Sequence, residues 1–190
     1  MASRMASRAM SAGRGSREAP RGVRPYLSGM APTPSPYRAL PSARRVQLVT
    51  HAIKSHREAR MTYIQRMMAR GGGFRAVTLQ SWAPDRLARE IVRLNAESAQ
   101  DELELLQLLY VDLEPVIQST FLDAAGVKHE NGKIDDALEP PYASEDGVRA
   151  GASAVLAQHG EDGMHYLRTI ARYGAGAWPG IDAVLADTEH

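Results

Sequence analysis

The sequence predicts an all-α fold, an irregular bundle of five or six helices around one long leucine-rich central helix, preceded by a disordered Arg- and Pro-rich arm. Three observations carry that expectation. Apolar residues recur at spacings of three and four beyond residue 42, which is the helical period. One run, Leu103 to Ala125, is apolar on most of its circumference, as a helix is when others pack around it. Glycines punctuate the chain at helix-length intervals, at Gly71–Gly73, Gly126, Gly160 and Gly174.

At 190 residues the chain fits one domain with an extension, and a body of that size buries roughly two thirds of its unfolded surface. There is no cysteine, which excludes disulfides, thiolate metal sites and cysteine nucleophiles. That is compatible with a cytoplasmic location, the one expected here. No apolar run approaches the ~18 residues of a transmembrane helix. The net charge of +1 hides a division. Residues 1–75 hold fifteen Lys or Arg against Glu18 and Glu58, a net of +13, whereas residues 76–190 hold eight against twenty, a net of −12. Such asymmetry suggests either a basic segment for an acidic partner or two parts of one chain that attract each other.

Residues 1–42 read as a disordered basic arm, because they carry many arginines and prolines and too few large apolar groups to offset ordering entropy. The arm has the Ser, Ala and Arg bias of an organelle transit segment without a clear amphipathic register. Met5, Met10 and Met30 also offer alternative starts, so a misassigned start is a competing reading. Its binding partner would be a nucleic acid or another anionic surface, held weakly by charge.

A single helical domain is expected over residues 43–187. From Ser42, a potential N-cap, to Arg70, the residues Val46, Val49, Ile53, Ile64 and Met68 recur on one side. Arg44, Arg45, Lys54, Arg57, Arg66 and Arg70 make the rest of this segment a basic face, suited to nucleic acid, an anionic membrane or the acidic half of the chain. Phe74–Trp82 reads as an irregular connector with Val77 and Leu79 pointing one way. Pro84 opens a helix to about residue 96, with Ser81 as a possible cap and Leu87, Ile91 and Leu94 inward. The Gly-Gly-Gly connector is too long for a helix-turn-helix DNA reader.

Ser98 and Asp101 form a capping box that starts the central helix. Leu103, Leu106, Tyr110, Leu113, Ile117 and Phe121 share one face of it, and because that stripe stays in register past Pro115, a bend within one element is expected there. Gly126 ends it. Asn131-Gly132 signals a tight hairpin turn with positive φ angles. Ser144 caps a helix to His159, Gly160 stops it, and a further helix spans Glu161 to Tyr173. Trp178 folds back onto the core ahead of a last helix that ends near Ala186.

Chemistry-bearing motifs are sparse. No G-x-S-x-G, Walker A or G-x-G-x-x-G pattern occurs, and His129-Glu130 lacks the second histidine of a zincin. His129 and Glu130, beside Asp135 and Asp136, form the densest polar group on a turn and are the candidate acid-base pair. His159, Glu161, Asp162 and His165 fall within seven residues and are the candidate metal ligands. No cofactor is implied. The leading functional expectation is a non-catalytic interaction or scaffold module with a protein partner. The alternatives are a small ligand-binding protein or enzyme using the His129/Glu130 turn, and nucleic-acid association through the basic N-terminal region.

Overall fold

The computed structural model describes residues 35–70, 73–135, 137–174 and 176–188, and residues 1–34 of the arm expected over residues 1–42 lie outside them. The structure is all-α. Among the described residues it has nine α-helices, one π-helical segment and one short hairpin, where five or six helices were expected. No helix among these residues is long and apolar enough to cross a membrane.

The extra helices have physical causes. The folded body starts before residue 42, with α1 (Pro36–Ala39) capped by Ser35 Oγ, which accepts the Arg38 N–H at 3.2 Å. Tyr37 is completely buried, so residues 35–42 belong to the body and not to the arm. Composition averaged over 42 residues concealed that one aromatic. The expected Ser42–Arg70 helix is broken at His56 (φ −130°, ψ 107°) into α2 (Ser42–Ser55) and α3 (Arg57–Ala69). The break turns α3 so that Tyr63, Ile64 and Met67 are buried and Met68 is exposed. Pro41, not Ser42, precedes α2 as its cap residue, and no side chain caps it. The expected connector contains α4 (Ala76–Ser81), in which Leu79 is buried and Val77 exposed. Helix α5 (Pro84–Arg93) has proline in its first turn and Ala83 as its cap residue; the Ser81 hydroxyl bonds back to Thr78 O at 2.8 Å.

The central element is not one bent helix. The capping box is present in both directions at the start of α6 (Ala99–Gln107). The chain then widens into a π-helical segment, Leu108–Leu113, breaks at Glu114 (φ −131°, ψ 53°) and restarts as α7 (Pro115–Ala125). Pro115 has no N–H for the next helical bond, and its ring would strike the carbonyl four residues back. The Glu114 N–H reaches Leu109 O at 2.7 Å, the five-residue spacing of a π turn. The widening shifts the register of the apolar stripe. Leu108, Leu109 and Tyr110 are buried, whereas Leu113 and Val116 are exposed.

Gly126 takes the left-handed conformation (φ 72°) that ends α7. Strands β1 (His129–Glu130) and β2 (Lys133–Ile134) pair antiparallel across Asn131 (φ 50°) and Gly132 (φ 84°), as the dipeptide signals. Ser144 caps α8 (Glu145–Tyr173), and Gly160 (φ 52°, ψ −119°) kinks that helix into the two expected limbs. The first limb lies directly on α7. Trp178 returns to the core edge-on to Phe121, with ring centroids 5.0 Å apart, and α9 (Ile181–Thr188) follows. Phe121 in turn meets Tyr166, which meets Tyr110, so an aromatic chain joins α7, α8 and the π-helical segment.

Candidate functional site

The His129/Glu130 turn is ordered by its histidine. His129 Nδ1 accepts the Gly132 N–H at 3.1 Å, which leaves the ring proton on Nε2, and Nε2 donates to Asp123 Oδ1 at 3.1 Å. The ring therefore clips the hairpin to the end of α7, assisted by Gln118 Nε2 donating to Gly132 O at 2.6 Å. A His–Asp pair resembles a general-base dyad, but a base needs a free nitrogen to receive a proton and both are engaged here. Glu130 is exposed on the hairpin edge. Asp135 Oδ1 accepts the Ala137 N–H at 3.0 Å, a turn function, and Asp136 lies outside the described residues.

The four candidate metal ligands do not converge. His159 Nε2 bonds Thr120 Oγ1 at 3.1 Å on α7, whereas His165 faces α1 and the π-helical segment. His165 Nε2 donates to Pro36 O at 2.7 Å, and a carbonyl can only accept, so Nδ1 is the bare nitrogen and takes the Tyr110 hydroxyl proton. Burial lowers the His165 pKa and keeps this ring neutral, while burial raises that of Tyr110. Glu161 and Asp162 are exposed beyond the Gly160 kink. Among the described residues no group of three or more His, Asp or Glu is placed to hold a metal ion.

Five of the six residues of the expected basic face are divided among separate internal contacts. Arg44 pairs with Glu114, Lys54 with Asp85 at 3.6 Å, and Arg66 with Asp101. Arg70 Nη1 donates to Leu94 O at 2.7 Å at the end of α5, and Arg45 stacks 5.9 Å from the Tyr37 ring centroid. Arg57 alone of the six has no partner among the described residues. Within residues 44–70, then, Arg44, Lys54 and Arg66 are paired with carboxylates of the same chain.

Sequence reasoning missed the contacts that the acids at the start of α6 make with α1. Glu97 (3 % exposed) accepts the Tyr37 hydroxyl at 2.7 Å, and Arg38 reaches Glu102 Oε1 at 2.5 Å and Asn95 Oδ1 at 2.6 Å. Ser35 Oγ donates to Glu102 Oε2 at 2.5 Å. These bonds hold α1 against the start of α6. The signal was available as a run of acids, Glu97, Asp101 and Glu102, facing an Arg38 that the arm reading had dismissed.

Two surface features remain. On α3 the residues Arg57, Met61, Gln65 and Met68 form one exposed stripe, and Gln80 of α4 approaches Met61 Sδ at 3.9 Å. Val77, one turn earlier on α4, is 78 % exposed, and Met61 and Met68 are 37 % and 43 % exposed. On another stripe of α3, Glu58, Thr62 and Arg66 line a groove facing α6 with a volume of about 520 Å³. Comparison with known proteins finds no matching family model, no similar curated protein and no similar solved structure.

Proposed function

We propose that this chain is a non-catalytic helical interaction module whose partner docks on the α3–α4 face. The observation that carries the reading is the exposure of Met61, Met68 and Val77 on adjacent stripes of two packed helices. Methionine adapts its shape to a partner and is favoured at such surfaces. Arg57 and Arg75 flank the apolar residues, are exposed, and have no partner among the described residues. An apolar helix edged with carboxylates complements both features. The engagement of both His129 nitrogens within the fold supports the non-catalytic part of the reading.

A photo-crosslinking residue placed at Val77 tests this in the cells that make the protein. A discrete adduct is expected, absent when the same residue replaces Glu130 on the hairpin and lost when Met61→Lys is added. Equal labelling from both positions would refute the assignment of the face.

A further inference from the structure

We propose that the pocket between α2 and α5 binds a small organic carboxylate, with the Thr50 hydroxyl and the Arg89 guanidinium as its polar partners and Lys54 as a second cation. The pocket has a volume of about 360 Å³. Its walls follow from helical spacing. Val46, Thr50 and Lys54 stand four residues apart on one stripe of α2, with His51 on the next, and Asp85 and Arg89 share a stripe of α5.

Thr50 is the residue that points to a ligand. It is 9 % exposed and lines the pocket, yet its hydroxyl makes no hydrogen bond among the described residues. A threonine inside a helix can close on the carbonyl four residues back. Thr62, Thr169 and Thr188 all do so, onto Glu58, His165 and Val184. Thr50 does not, and a buried hydroxyl left without a partner costs stability that a ligand's acceptor would restore.

The charges of the walls select the ligand. Arg89 is exposed and has no hydrogen bond or ion pair among the described residues. Lys54 meets Asp85 at 3.6 Å with each side chain more than half exposed, a loosely held pair. Two cations against one carboxylate leave the pocket positive, which disfavours a cationic ligand, while Asp85 repels the second charge of a phosphate dianion. The Thr50 O–H and the Arg89 N–H groups are donors, and a carboxylate offers acceptors only. Val46 and the methylene stems of Lys54 and Arg89 supply apolar surface for a short tail.

The test is titration of the full chain with butyrate at constant ionic strength, followed through backbone amide shifts in proton–nitrogen correlation spectra. Butyramide serves as the neutral analogue of the same shape and methyl phosphate, above neutral pH, as the dianion. Butyrate should shift the amides around Thr50 and Arg89 saturably, and both analogues should bind about tenfold more weakly or worse. Thr50→Val keeps the shape and removes the donor. It should bind butyrate several-fold more weakly while melting at the wild-type temperature or above, because the hydroxyl it removes has no partner in the fold. Arg89→Gln should also bind several-fold more weakly, and Lys133→Gln on the hairpin should match the wild type. Absence of saturable shifts up to about 20 mM butyrate in a chain that melts cooperatively would overturn the proposal. So would unchanged affinity in Thr50→Val, or a marked fall in its melting temperature, which would show that the hydroxyl is used within the fold. No lining residue belongs to α3 or α4, so neither result bears on the crosslinking test.

Discussion

Gly151→Ala tests how α8 rests on α7. A Cβ at Gly151 would stand 2.8 Å from Phe121 O and 2.9 and 3.0 Å from two carbons of the Phe121 ring. Carbon contacts are comfortable at about 3.5–4.0 Å, so helix or ring must yield by roughly half an ångström or more. The ring cannot swing away, because Phe121 is fully buried between Tyr166 and Trp178, at centroid distances of 5.6 and 5.0 Å. Overpacking of this kind costs about 1–3 kcal/mol. Opposing it, alanine is the better helix former by about 1 kcal/mol at an ordinary helical position. The net expectation is a loss of up to about 2 kcal/mol, which for a chain of this size lowers the melting temperature by several degrees, at about 2–4 °C per kcal/mol. Urea unfolding followed by far-UV circular dichroism measures it. The sign is decisive. If α7 and α8 do not touch at Gly151, the propensity gain acts alone and the variant becomes more stable. A midpoint above that of the wild type would refute the contact between Gly151 and Phe121.

Two further predictions concern the core and its titration. Leu106→Asp places a charge at a position 1 % exposed and should cost more than about 4 kcal/mol; a cooperative melt at an unchanged temperature would refute the placement of α6. The His165 pKa is lowered in the fold by burial. The unfolded chain therefore takes up the proton first as pH falls through about 6.5, and the stability contributed by neutral His165 is present above that pH and lost below it, down to the lowered folded value. His165→Gln should remove this component, flattening the stability profile between about pH 7 and 5. An identical profile in the variant would show that His165 is not the responsible group.

Local signals were legible in proportion to how completely they are satisfied by neighbours in the chain. The Ser98–Asp101 capping box, the Gly126 stop, the Asn131-Gly132 turn and the Ser144 cap each close through hydrogen bonds within a few residues, so residue identity and spacing suffice to read them. Candidate chemistry was legible as residue types but not as geometry. His129 and His165 look alike in sequence, and what separates them is which atoms meet their nitrogens: a turn N–H and Asp123 for one, Tyr110 and Pro36 for the other. The pocket of Thr50 and Arg89 joins two helices about forty residues apart, and no period in the chain reports it.

By itself, then, the sequence determined that the chain is helical and located those helix ends that carry a cap or a glycine stop, such as the starts of α6 and α8 and the end of α7, because capping and glycine termination are short-range. Only the tertiary structure decided that Pro115 restarts a helix after a π-helical widening, although the apolar stripe reads continuously across it. It also drew Tyr37 and Arg38 out of an apparently structureless arm, since their partners Glu97 and Glu102 lie some sixty residues away. The same holds for the basic residues of α2 and α3. Their charge was plain, but whether it faces an outside partner or Glu114, Asp85 and Asp101 depends on how helices distant in sequence pack, and packing is settled by burial of the whole core at once.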